Sequence, residues 1–253
     1  MNKYKKLLFL MVVSLIMLNT GCSNIVITKD QKVEEAFEKH LSIYPVKSLE
    51  DFYDMEGFRD KEFDKNDKGT WVLLSETSNK KDNQSPLISK GIVLFMDRNT
   101  EKARGKIFIY KYNEKKEDSK QEFPIEMNNN EIKLMNKSSS EAETIANQYR
   151  FMIQDVKIND LSKLKKIKSR HNEEMPLYTI DYQLPKEHQI NKWVQLHYNM
   201  KFEDAKLLFK KTGNLNGSST GNFQFTVEGK NKNNEYQTYS ESIIYNPSQE
   251  NAE

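Results

Sequence analysis

Thr70-Trp71-Val72-Leu73-Leu74-Ser75, Ile88-Ser89-Lys90-Gly91-Ile92-Val93-Leu94-Phe95-Met96-Asp97 and Gly105-Lys106-Ile107-Phe108-Ile109-Tyr110-Lys111-Tyr112 are three aromatic and β-branched runs set between polar turns. Side chains of this kind fill a pleated, half-buried surface, so each run reads as a strand. Glu122 to Met127 and Glu131 to Met135 extend the series. Asn128-Asn129-Asn130 lies between those two, and asparagine tolerates the left-handed backbone that a tight hairpin needs. Arg98-Asn99-Thr100 is a second turn candidate, and the polar stretches Lys80 to Ser85 and Asn113 to Gln121 read as exposed loops. The result is an antiparallel meander.

Helical patterns precede it. Val33, Phe37 and Leu41 fall at i, i+4 and i+8, one stripe of an amphipathic helix that Pro45 ends. Ser48-Leu49-Glu50-Asp51 offers a serine cap with a carboxylate three residues on, starting a short helix to about Met55. The order then repeats. Ser138-Ser139-Ser140-Glu141 opens a helix expected to carry Ile145, Tyr149 and Met152 on one face, and Leu161 to Lys168 reads as a further helix. Leu177 to Gln183 reads as a strand, Lys186 to Tyr198 as a helix around Trp193, and Ala205 to Thr212, Phe223 to Gly229 and Tyr236 to Tyr245 as strands. Helices followed by strands, twice, predict an α+β fold: antiparallel meanders with helices packed on one face, over residues 33–247, with halves 33–136 and 137–247. Periodicity leaves open whether these form one sheet or two. Residues 248–253 read as a disordered tail.

Before the folded part stands a leader. Lys3, Lys5 and Lys6 precede an apolar stretch from Leu7 to Leu18, and Gly21 is the small residue before Cys22, which has the anatomy of a secretory signal over residues 1–21. The apolar stretch falls short of the roughly 20 residues a spanning helix needs. Leu18-Asn19-Thr20-Gly21-Cys22 resembles a bacterial lipobox, with Asn19 at a position usually apolar. The expected sequel is cleavage between Gly21 and Cys22, a diacylglyceryl group on the Cys22 sulfur, and residues 22–32 as a lipidated N-terminus and tether. Two or three acyl chains hold a protein to a bilayer without any spanning helix. The alternative is a secreted protein whose one cysteine is incidental.

Charge and motifs exclude more than they assign. The whole chain carries 39 basic and 37 acidic residues, but residues 1–21 hold three lysines and no acid, so the mature chain has 36 against 37. Bulk electrostatics therefore give no support to nucleic-acid binding. Asp64-Lys65-Asn66-Asp67-Lys68-Gly69 begins like a calcium loop, yet Lys68 stands at the fifth position and Ser75 at the twelfth, where an oxygen ligand and a bidentate glutamate belong. Gly213 to Gly221 is glycine-rich without the Gly-Lys-Ser/Thr ending of a phosphate loop. His40, His171, His188 and His197 lack the spacing of paired ligands, so neither a metal nor another cofactor is expected. No Gly-x-Ser-x-Gly elbow is present and the single thiol is assigned to lipid, so no catalytic residue is expected and the chain reads as a non-enzyme.

The densest positive run beyond the leader is Leu161-Ser162-Lys163-Leu164-Lys165-Lys166-Ile167-Lys168-Ser169-Arg170. On a helix it would bury Leu161, Leu164 and Ile167 and turn Lys163, Lys165, Lys166, Lys168 and Arg170 outward, a surface suited to anionic lipid, wall polymer or an acidic protein patch. The competing reading is an ordinary solvated face.

His40 to Asp51, Gly57-Phe58-Arg59-Asp60, Phe63 to Trp71, Lys90 to Thr100 and Gly213 to Ser219 together resemble the staphylococcal tandem lipoproteins over nearly the whole mature chain. That resemblance implies a lipoprotein anchored on the extracellular face of the cell membrane, with no assigned enzymatic activity, associated with host-cell entry and innate immune stimulation. The implied partners are the membrane through the lipid anchor, a host-cell surface protein and a lipoprotein-sensing Toll-like receptor. A capturing protein for a small ligand or secreted polypeptide is the alternative, favoured if a pocket is lined by Trp71, Trp193 or the tyrosines.

Overall fold

The computed structural model describes residues 29–42, 44–57, 66–114, 117–136, 138–158, 161–172, 177–213 and 222–247. The signal segment, Cys22, the start of the calcium-like loop, the glycine-rich stretch from 214 to 221 and the tail from 248 lie outside the described residues. By its contacts the chain divides into residues 1–32 and a unit Val33–Glu253. Only the start of helix α1 (Lys29–Leu41) is described in the first, a few residues earlier than the tether was expected to end.

The second unit is built on a single antiparallel sheet of ten strands. β1 (Thr70–Lys80), β2 (Leu87–Asp97), β3 (Lys102–Tyr112), β4 (Ser119–Asn128) and β5 (Glu131–Leu134) form one meander. β6 (Lys166–Asn172), β7 (Leu177–Leu184), β8 (Asp204–Thr212), β9 (Phe223–Lys230) and β10 (Tyr236–Asn246) form another. The order across the sheet is β5-β4-β3-β2-β1-β10-β9-β8-β7-β6, so the two meanders join where β1 pairs with β10 and the edges are β5 and β6. The question left open by periodicity has a clear answer: one sheet. It dominates the unit, and the helices are minor.

Alternation decides which face is buried. Trp71, Leu73 and Ser75 lie opposite Met96, Leu94 and Ile92 on one side and Tyr245, Ile243 and Glu241 on the other. The same face continues through Phe225 and Val227 to Phe209, Leu207, Ile180 and Tyr182. These residues are almost wholly buried. The helices meet this face: the Phe37 ring of α1 lies 5.8 Å from Phe209, and Phe52 lies 5.3 Å from Trp71. Each large side chain withdrawn from water contributes about 1.5–3 kcal/mol, and Val33, Phe37 and Leu41 supply three from one stripe.

Local rules account for most element ends. Ser48 accepts from Glu50 N while Asp51 Oδ2 accepts from Ser48 N, closing the reciprocal cap of a 3₁₀ helix Leu49–Tyr53. Asn129 and Asn130 sit at φ 52° and 60°, the geometry of the two-residue hairpin. Ser139 caps α2 (Ser140–Gln148). A packed tertiary partner overrides the pattern next: α2 stops before Tyr149, which is extended, and a separate α3 (Met152–Asp155) follows. The helix expected to carry Ile145, Tyr149 and Met152 is therefore two. α4 (Gln189–Tyr198) starts at His188 and ends at a left-handed Asn199. β4 begins at Ser119, inside what reads as a loop.

The main correction concerns Leu161 to Arg170. Only Leu161–Lys163 is helical, as a 3₁₀ turn, and β6 starts at Lys166. Leu161 is buried, but Ile167 is 44% exposed. The apolar spacing of three mimics a helix; pairing with β7, which supplies backbone partners from Tyr182 to Leu177, prevails.

Candidate functional site

Edge pairing places the basic run on a strand, and alternation then divides it. Lys166 lies opposite Tyr182 and reaches Glu34 of α1 at 3.4 Å, while Tyr182 donates to the same carboxylate at 2.9 Å. Lys168 lies opposite Asp181, and Arg170 two residues on lies opposite Thr179. Lys163 and Lys165 precede the strand and are exposed. The five cations thus do not form one surface.

Lys168, Arg170 and Lys210 instead line a groove of about 260 Å³ on the outer face of β6–β9, together with Thr179, Gln224 and Thr226. Asp181, 6% exposed, takes Lys168 Nζ at 2.9 Å. Lys168 is half exposed, so that pair contributes no more than about 1 kcal/mol. Arg170 and Lys210 make no ion pair among the described residues and leave the groove net positive. Elsewhere on the same face Lys106 is matched by Glu122 at 2.7 Å. Sequence reasoning missed Lys210, although the alternation of Ala205, Leu207 and Phe209 inward already turns it outward.

A second feature, a cleft of about 640 Å³, lies beside β5, bounded by Asn130 and Ile132 on one side and by Tyr149, Arg150 and Gln154 on the other. Trp71 and Trp193 take no part in it, being packed in the core at 0% and 6% exposure.

The sheet centre holds a buried polar node. Glu241 accepts from Met152 N at 2.6 Å, Ile153 N at 3.1 Å, Tyr239 Oη at 2.8 Å and Tyr44 Oη at 3.2 Å. Phe151 offers α3 no side-chain cap, so this carboxylate from β10 does the capping, which explains why a new helix starts there. Burial pushes the Glu241 carboxyl up to about 7 despite the four donors that favour its charged form. Burial likewise raises the Tyr239 and Tyr44 hydroxyls well above their ordinary value. The node joins helix layer to sheet.

Several motif blocks converge on Tyr245. Its single hydroxyl proton is shared between Lys68 O at 2.8 Å and Glu56 at 3.1 Å, and its oxygen accepts from Arg98 at 3.2 Å. A Cβ on Gly57 would stand 2.0 Å from the Tyr245 ring, and Gly69 has φ +77°. Asp67 Oδ1, which a calcium loop would aim at an ion, accepts from Gly69 N and Asn99 Nδ2, both at 2.7 Å. These blocks build the fold. Among the described residues no group of three or more His, Cys, Asp or Glu is placed to hold a metal, and no helix is long and apolar enough to cross a membrane.

Comparison with known proteins assigns the family. The structure of Mycobacterium tuberculosis lipoprotein LppX aligns over 87% of this chain and 97% of that one, with 8% identity and a TM-score of 0.35. An uncharacterized lipoprotein of Staphylococcus aureus strain USA300 is 38% identical, covering 96% of each chain. Another from the same strain is 35% identical, covering 96% of this chain and 97% of its own. Residues 29–248 match the Csa1 family, and the chain belongs to this family of staphylococcal lipoproteins.

Proposed function

We propose that this chain is a lipoprotein of the cell surface, cleaved after Gly21 and acylated at Cys22, that acts by binding and not by catalysis, contributing to host-cell contact. The supporting observation is the groove of Lys168, Arg170 and Lys210, where Arg170 and Lys210, which make no ion pair among the described residues, stand beside Thr179, Gln224 and Thr226 while Lys168 pairs with Asp181. Such a surface suits carboxylate, sulfate or phosphate groups on a host-cell protein or its glycans. Innate stimulation would come from the acyl chains on Cys22 through a lipoprotein-sensing receptor and would not need the fold.

The test is binding of the mature protein to epithelial cells at two salt concentrations, wild type against a variant with Lys168, Arg170 and Lys210 changed to Gln. The expected result is salt-sensitive binding that the variant loses; equal, salt-insensitive binding refutes the groove. For the anchor, fatty-acid label should be absent from Cys22→Ala, and label retained there refutes acylation at that sulfur. A second reading, capture of a ligand at the envelope, is favoured by the cleft beside β5.

A further inference from the structure

We propose that the free edge of β5, with the cleft beside it, receives an extended polypeptide segment from another protein by strand addition. This site is at the opposite edge of the sheet from the basic groove, so its fate is independent of that reading.

The ladder register says which backbone groups are available. Met135 N donates to Pro124 O at 3.0 Å, and the same alternation makes Glu126–Lys133 and Asn128–Glu131 the hydrogen-bonded pairs of the β4–β5 hairpin. Ile132 and Leu134 are the intervening residues, so their N–H and C=O groups point away from β4, and among the described residues β4 is the only strand paired with β5. Two such donor–acceptor sets, about 7 Å apart along the strand, are the complement of another extended backbone.

The cleft provides the second wall. Across it from Ile132 stand Tyr149, Arg150 and Gln154 at the α2–α3 junction. Tyr149 and Phe151 are almost wholly buried where they border the cleft, while Arg150 and Lys133 are exposed. Lys133 pairs with Glu131 at 3.7 Å, while Arg150 makes no ion pair among the described residues and is the cation left to a ligand. Its volume of about 640 Å³ is that of a small-ligand site, enough for a few residues alongside a four-residue strand roughly 13 Å long. The occupant is therefore an extended peptide with an apolar side chain entering against Ile132 and Tyr149 and an acidic side chain meeting Arg150.

The probe is a fluorescent, acetylated heptapeptide of alternating aspartate and valine, titrated by anisotropy against the mature lipidated chain in detergent. A copy N-methylated at alternate amides keeps every side chain but cannot pair as a strand, and should bind at least tenfold more weakly. Ile132→Pro removes an edge N–H that the β4–β5 ladder does not use and should lower binding at least tenfold. Arg150→Glu should weaken it several-fold. Should Ile132→Pro unfold, hydrogen exchange on the wild type decides: slowed exchange at Ile132 and Leu134 on peptide addition supports strand addition, and unchanged exchange overturns it. Equal binding by the N-methylated copy, wild-type affinity in a folded Ile132→Pro, or no binding up to millimolar peptide overturns the proposal.

Discussion

The two edges of the sheet solve the same problem in opposite ways. β6 carries Lys166, Lys168 and Arg170, and a register irregularity falls between Lys166 and Lys168. Cations and bulges are how natural sheets discourage another strand from pairing. β5 has no bulge, is protected chiefly by its shortness, and borders a cleft. Each edge is also tied to the N-terminal helical segment: β6 and β7 through Lys166 and Tyr182 to Glu34, the β4–β5 hairpin through Asn130 to Leu49 N at 2.7 Å and through Asn129 N to Glu50 at 2.8 Å. The comparison teaches that a positive run on an edge strand has a structural reason before it has a functional one. Only Lys210, on an interior strand, escapes that reason, so the groove reading leans on it most.

The largest effect should come from the centre, on which both edges depend. The Glu241 carboxyl sits near 7 when folded and near 4.5 when unfolded. The folded state therefore holds the proton more tightly, and the contribution of Glu241 to stability is fully present below pH 4.5, falls as pH rises from 4.5 to 7, and is level above that. At about 1.4 kcal/mol per pH unit the fall is about 3 kcal/mol. Chemical denaturation across pH 4–8 should show it, and Glu241→Gln should flatten it; an unaltered slope would show that other groups are responsible.

At the β5 edge, Asn130→Ala loses both its tolerance of φ 60° and its bonds to Ser48 and Leu49, with an expected cost of about 2 kcal/mol. Hydrogen exchange should accelerate in β5 and not in β6; acceleration at both edges would dissolve the contrast. At the β6 edge, Tyr182→Phe removes one bond to Glu34, and about 1 kcal/mol is expected from denaturant unfolding. A change in stability of no more than about 1 kcal/mol, from the lost Lys168–Asp181 pair, should follow from Lys168→Val with Arg170→Val. Light scattering should nonetheless rise with concentration, since the edge loses its charges. A variant that stays monomeric would deny these residues a protective role.

Legibility tracked how local each constraint was. The hairpin at Asn129–Asn130, the cap at Ser48 and the stripe Val33, Phe37 and Leu41 depend on a few adjacent residues, and their identities state the geometry. Leu161 to Arg170 misled because an edge strand has one partner and weak burial demands, so its composition need not alternate; three apolar residues at intervals of three then imitate a helix. Lys210 was legible from strand alternation but not its sharing of one groove with Arg170, which requires β7 to lie between β6 and β8, an order no spacing encodes.

By itself the sequence determined the strand-forming runs, the turn chemistry and the apolar stripe of the first helix, because each of these is written in neighbouring residues. Tertiary structure alone decided that the two meanders share one sheet through β1 and β10, that Glu241 is buried as the cap of a helix some 90 residues away, and that β5 is left open beside a cleft. Those outcomes turn on long-range pairing and desolvation, in which a residue's partners, and so the energy of its burial, are set by chain segments far from it in sequence.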